Sequence, residues 1–101
     1  MQGLKMYINL LEEIVGCAVY ETKIIGAGKY SKWNAEQLKK VVIPEMNELL
    51  QHALKGEVFF RFGKTQRLLE STYLITDSLE NLLDTSLGKK ISELQELYDS
   101  L

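Results

Sequence analysis

Aromatic and basic side chains alternate in one short stretch, which is the strongest candidate for binding chemistry in the chain. Three phenylalanines fall within residues 59–62, and four cations lie among or beside them between Lys55 and Arg67. One helix cannot turn all three rings inward, so we expect at least one to be exposed or covered by another chain. Aromatic residues and arginine are enriched at protein–protein interfaces. The predicted partner-binding residues, which include two aromatics from an earlier loop, are Tyr30, Trp33, Phe59, Phe60, Arg61, Phe62, Lys64 and Arg67.

The same stretch allows two other interpretations. Single-stranded nucleic acid stacks its bases on aromatic rings and places its phosphates against cations. The sequence pI of about 5.4 argues against that function, because a dedicated nucleic-acid-binding domain is expected to be basic. The plainer interpretation is that the rings cap the hydrophobic core and the cations are solvated.

Other residues with possible chemistry give weaker signals. Glu45, Glu48 and His52 fall on roughly one face of a predicted helix, and such side chains bind metals. The chain has one histidine and no second copy of the pattern, so we predict a solvated polar stripe. Cys17 is predicted to be a small buried residue, and residues 63–65 lack the earlier glycine of a phosphate-binding loop. We predict no catalytic residue, no metal ligand and no cofactor site.

Length and composition are those of one globular domain covering residues 1–101. A single cysteine cannot form an intramolecular disulfide, which fits a reducing compartment. The N-terminus does not have the pattern of a signal peptide. The sequence also lacks a run of ~18 apolar residues, which a membrane-spanning helix would need. We therefore expect a cytoplasmic protein. Cations are in excess over residues 23–67 and anions over 68–101, so the two parts can attract each other within one fold or between subunits.

The N-terminal pattern predicts a long helix. Apolar and small residues recur at steps of 4 and 3 from Leu4 to Ile25, which is the spacing of one helical face. We predict a helix over about 3–25, with Gly16 on the opposite side at a cost of about 1 kcal/mol relative to alanine. The alternative is a strand over 18–25, where β-branched residues are frequent.

The second helix has the clearest start signal. Asn34 can cap a helix and Gln37 can return the hydrogen bond, while Trp33 and Leu38 are placed to form a hydrophobic staple. We predict that this helix starts at Ala35. The apolar pattern continues beyond Pro44, so this proline lies inside the predicted helix. A proline there predicts a kink near residues 40–43. Gly56 is the predicted stop.

The second half of the chain predicts two more helices. A helical stripe runs from Leu68 to Leu83. We predict helix over residues 57–62 as well, and the alternative is a strand there that pairs with 18–25. Residues 84–86 offer caps for a last helix, whose apolar positions run from Leu87 to Leu101 at steps of 4 and 3.

These patterns predict a mostly α fold, an antiparallel four-helix bundle, with an α+β fold carrying the two short strands as the alternative. The functional hypothesis is a small cytoplasmic interaction or regulatory module that self-associates as a dimer or binds another protein. A small enzyme or ligand-binding bundle with a pocket of threonines and tyrosines is the first alternative. Weak binding of single-stranded nucleic acid is the second.

Overall fold

The computed structural model describes residues 2–58 and 68–100, and this part of the chain is mostly helical and compact. Helix α1 spans Gln2–Gly26. Helix α2 covers 35–54 in three consecutive segments, Ala35–Gln37, Leu38–Val42 and Ile43–Leu54. Helix α3 spans Glu70–Asp77, a 3-10 turn covers Leu82–Asp84, and helix α4 spans Ser86–Ser100.

The long first helix is confirmed, and the alternative strand over 18–25 is wrong. Tyr7, Leu11, Ile14 and Ala18 are fully buried on one side of α1. Only helical spacing brings these positions to one face, so tertiary packing overrides the β propensity of the segment. Thr22, one of its β-branched residues, donates its hydroxyl to the Ala18 carbonyl at 2.9 Å, a bond that a helix makes possible.

The predicted start of α2 is confirmed in detail. The Asn34 side chain accepts a hydrogen bond from the backbone N–H of Gln37 at 2.8 Å, and the Gln37 side chain accepts one from the Asn34 backbone at 3.0 Å. This reciprocal pair satisfies two N–H groups that would otherwise lack partners at a helix start. Trp33 and Leu38, the predicted staple, are both buried in the core.

Pro44 is accompanied by a local change of helix type. Residues Leu38–Val42 form a π-helical turn, and the N–H of Ile43 bonds to the carbonyl of Leu38. The α-helical segment Ile43–Leu54 begins immediately afterwards, so Pro44 falls in its first turn. There the missing N–H of proline costs little. The sequence predicted an irregularity near residues 40–43, and the structure shows that it is a π-helical turn. The helix stops before Gly56, which has φ +82° as predicted for a terminating glycine.

Helix α3 is shorter than predicted. It ends at Asp77, so the prediction of helix through Leu83 is wrong. Ser78 has an extended ψ of 145°, and its hydroxyl accepts from the N–H of Glu80 at 3.1 Å. This local bond offers the backbone an alternative to the helix. Leu79 is fully exposed as a result, while Leu82 returns to the core in the 3-10 turn.

The last helix is confirmed, and a glycine fixes its contact with the turn before it. Leu87, Ile91, Leu94 and Tyr98 are buried at the predicted spacing. A Cβ added to Gly88 would overlap the Leu82 carbonyl oxygen, so only glycine lets the 3-10 turn lie against α4 here.

Helix α1 contacts both α2 and α4 around one core. The rings of Tyr7 on α1 and Tyr98 on α4 stack with their centroids 6.3 Å apart. A four-helix bundle fits these contacts. Residues 2–58 and 68–100 contain no strand, and no helix among them is long and apolar enough to span a membrane. Residues 57 and 58 are in neither the predicted helix nor the alternative strand over 57–62, and residues 59–62 lie outside the described part of the chain.

Candidate functional site

The structure places two of the eight predicted partner-binding residues, and their surroundings differ. Tyr30, in the loop between α1 and α2, is 80% exposed. Trp33 is 2% exposed and lies in the core, so its ring does not form part of the protomer surface. The other six residues lie outside the described part of the chain: Phe59, Phe60, Arg61, Phe62, Lys64 and Arg67.

Trp33 joins the α1–α2 loop to the start of α4. Its indole Nε1–H donates to the Thr85 hydroxyl oxygen at 3.1 Å. The same oxygen accepts from the Gly88 N–H at 3.0 Å, while the Thr85 hydroxyl donates to the Leu82 carbonyl. A buried tryptophan needs a partner for its N–H, and Thr85 provides it. In the protomer Trp33 therefore stabilises the contact between this loop and α4, and its predicted part in partner binding stays a prediction.

Glu45 is a residue whose exposure the sequence predicted wrongly. It was expected in a solvated stripe, but only 2% of it is exposed. Its carboxylate accepts three hydrogen bonds at the start of α3, from the Glu70 N–H at 2.8 Å and from the Ser71 N–H and hydroxyl at 2.8 and 2.6 Å. A negative charge at a helix N-terminus is favourable, because the first N–H groups have no partner within the helix.

Gln95 on α4 completes this attachment of α3. Its side-chain oxygen accepts from the Leu69 N–H at 2.9 Å and from the Thr72 hydroxyl at 2.8 Å. Its amide nitrogen donates to Asp99 at 2.9 Å. Glu45 and Gln95 thus fix the first turn of α3 from two sides, and their polar atoms serve the fold. Among residues 2–58 and 68–100, no cluster of three or more His, Cys, Asp or Glu side chains is placed to hold a metal ion.

Tyr7 is a buried phenol inside the same region. Its hydroxyl has no hydrogen-bond partner among the described residues. Burial raises the pKa of the Tyr7 phenol well above its usual value, and nearby Tyr98 and Glu45 raise it further. A pocket of threonines and tyrosines was one prediction for this region. Here Tyr7 stacks on Tyr98, and the Thr72 hydroxyl donates to the Gln95 side chain.

A concave feature lies between α1 and the start of α4, and we call it the α1–α4 groove. Its volume is about 500 Å³. Small and apolar residues alternate with charged ones along it. Lys90 reaches across it and lies 3.4 Å from the Glu13 carboxylate. The lining residues are Glu13, Gly16, Cys17, Tyr20, Glu21, Ser86, Leu87 and Lys90.

A smaller depression continues the groove along the same two helices. It holds about 230 Å³ and shares Glu13 with the larger one. Its other lining residues are Met6, Asn9, Leu10, Glu93 and Leu97. Met6 and Tyr20, near the two ends of this strip of α1, are 57% and 65% exposed. The strip between them is about 21 Å long at the rise of an α-helix, which is about four turns.

Gly16 on the floor of the groove has no role in the protomer that explains its type. No atom of the described residues lies within 4 Å of where its Cβ would stand, and it does not have positive φ. A glycine inside a helix costs about 1 kcal/mol relative to alanine. The sequence already places Gly16 on the face of α1 opposite the core. What it could not give is that α4 lies beside that face and turns it into a groove.

Comparison with known proteins gives no match: no family model fits the chain, and no curated protein and no solved structure is similar to it.

Proposed function

We propose that the chain is a protein-interaction module that binds a helical segment of another protein in the α1–α4 groove. The observation that supports this most is the groove itself, an open depression of about 500 Å³ with a bare glycine on its floor. A partner that fills this depression would cover Tyr20, which is 65% exposed, and could approach the backbone closely at Gly16.

The shape of the site favours a helix as the occupant. Amphipathic helices bind in grooves by placing side chains at i, i+3, i+4 and i+7 into an apolar strip. The strip from Met6 to Tyr20 is about four helical turns long, which matches such a segment. Glycine permits the backbone of a partner to come close, because no Cβ stands between them. Packed helices have axes 8–10 Å apart, and the lower end of that range needs small side chains.

The exposed residues along the strip are of the right kind for an interface. Tyrosine combines a large apolar ring with a polar tip and is enriched where proteins bind each other. Tyr20 stands at the edge of the groove with most of its ring in solvent. Methionine fits varied apolar surfaces because its side chain is flexible, and Met6 is exposed at the other end.

The experiment fills the groove and measures the loss of binding. The probe is a synthetic amphipathic peptide of about 18 residues with leucine and alanine on one face, labelled for fluorescence anisotropy. Gly16→Trp places an indole in the open space and is expected to weaken binding by about tenfold or more, equivalent to ~1.4 kcal/mol. Asn47→Trp is the matched control, because Asn47 is exposed on α2 and does not line the groove.

One further measurement and one further variant distinguish a loss of binding from misfolding. Circular dichroism establishes whether Gly16→Trp keeps the helical content of the wild type. Tyr20→Ala removes an exposed ring from the groove edge without adding volume and is expected to weaken binding by about threefold to tenfold. Equal affinity of the wild type, Gly16→Trp and Tyr20→Ala, or no binding at all, would contradict the proposal.

A further inference from the structure

We infer that the helix bound in the α1–α4 groove is cationic, with lysine or arginine flanking its apolar face. This inference rests on the proposed function and adds the chemical class of the partner. It follows from the charges at the edges of the groove and from their positions along it.

Carboxylates outnumber cations where the groove meets solvent. Glu13, Glu21 and Glu93 line the two depressions, and Lys90 is the one cation among the lining residues that belong to 2–58 and 68–100. Lys90 is already paired with Glu13 at 3.4 Å. The side chain of Glu13 is 59% exposed and Glu93 is exposed as well, so their charges face an approaching partner. Charges at the edge of an interface mainly select the partner and speed its association.

The spacing of these carboxylates predicts where the cations of the partner stand. Glu13 and Glu21 are eight residues apart on α1, about 12 Å along the helix axis. A partner helix lying along α1 would meet them with cations seven or eight residues apart, two turns along its own axis. Glu93 stands on the α4 side of the smaller depression, where it faces the other flank of the partner.

The same charges argue against a second copy of this chain in the groove. Groove-to-groove pairing of two protomers would bring two sets of carboxylates together, and like charges that face each other across an interface weaken it. A dimer predicted from the aromatic and basic residues, of which Tyr30 is exposed, would use another surface. A cationic helix instead places opposite charges along the whole strip.

The test compares three peptides that share one apolar face. Each has about 18 residues, with the polar positions filled by lysine, glutamine or glutamate. We expect the lysine peptide to bind about tenfold more tightly than the glutamine peptide, and the glutamate peptide to bind most weakly. The advantage of lysine should disappear at ~0.5 M salt, because exposed charges are then screened within a few ångström.

Substitutions at the groove edge identify the carboxylates responsible. Glu13→Gln combined with Glu93→Gln should reduce the advantage of the lysine peptide by about threefold to tenfold. Glu36→Gln is the control, because Glu36 is an exposed glutamate on α2 outside the groove. An equal effect of the control would overturn the inference.

The outcomes separate this inference from the proposed function. If all three peptides bind equally and Gly16→Trp blocks each of them, the groove binds helices without regard to charge and the inference fails alone. If no peptide binds, both proposals fail. Sedimentation of the free protein gives a further check, since a dimer that Gly16→Trp abolishes would show that a second copy occupies the groove and would overturn the inference.

Discussion

At the scale of single residues, buried polar side chains decide where α3 starts. Glu45 and Gln95 come from different helices, and their side chains accept hydrogen bonds from the first turn of α3. Sequence could not predict this role for Glu45, because its partners lie 25 and 26 residues away along the chain. A glutamate among other polar residues on a helix has the same local pattern whether it is solvated or buried.

Removing the Glu45 carboxylate should destabilise the protein. Glu45→Ala leaves two backbone N–H groups and the Ser71 hydroxyl without their acceptor, and we expect a loss of about 3 kcal/mol in the free energy of unfolding. Glu45→Gln keeps one acceptor oxygen and should lose less. Urea unfolding measures both values. Glu36→Ala, which breaks an exposed pair with Lys40, should change stability by about 0.5 kcal/mol at most. A similarly small loss for Glu45→Ala would refute the role assigned to this carboxylate.

The buried phenol of Tyr7 predicts a loss of stability in alkaline solution. Burial raises its pKa in the folded protein, whereas an unfolded tyrosine releases its proton near pH ~10. Above that pH the unfolded state binds fewer protons at this residue than the folded state does, so the free energy of unfolding falls as pH rises. Below that pH the residue contributes no pH dependence.

Tyr7→Phe tests this assignment. The variant should lose less stability than the wild type between pH ~9 and ~11, because it has no phenol to ionise at that position. At neutral pH it should be as stable as the wild type or more stable, since the hydroxyl has no partner among the described residues. Tyr30→Phe, at an exposed ring, is the control. Identical pH dependence of Tyr7→Phe and the wild type would contradict the account.

At the scale of elements, local signals predicted the starts of α1, α2 and α4 well, and the limits of α3 and the irregular turn near Pro44 less well. The capping box of Asn34 and Gln37 is complete within four residues, so sequence alone gave the start of α2. The sequence did not predict the end of α3, because the apolar helical pattern continues to Leu83. In the structure the Ser78 hydroxyl instead accepts a hydrogen bond from the Glu80 N–H just after the helix. Pro44 predicted an irregular turn, but whether the helix bends or adopts a π-helical turn depends on the packing around it.

Two glycines in helices should respond oppositely to the same substitution. Gly88→Ala pushes a methyl group into the Leu82 carbonyl and should cost about 3 kcal/mol, because the 3-10 turn must move. Gly16→Ala meets no atom of the described residues within 4 Å and should stabilise the protein by about 1 kcal/mol through helix propensity. Thermal or urea unfolding of the two variants measures the difference. Similar changes in both would contradict the description of the two sites.

At the scale of the whole molecule, the groove exists because α1 and α4 pack side by side, so that residues of both helices at the edge of their contact line one depression. The helical pattern predicted both helices and the buried face of each, as Leu11 and Leu94 confirm. It could not predict which exposed faces would come together, because polar faces have no period that specifies a neighbour. The strongest sequence signal for binding, residues 59–67, lies outside the described part of the chain, so its role remains a prediction.

The most direct test of the central claim locates the bound helix on the protein. Backbone amide shifts of the isotopically labelled chain are recorded by nuclear magnetic resonance while the lysine peptide is added. The account predicts that the largest changes fall at Gly16, Cys17, Tyr20 and Leu87, with Asn47 on α2 unaffected. Largest changes at Tyr30 or on the exposed face of α2, with the groove residues unchanged, would contradict it.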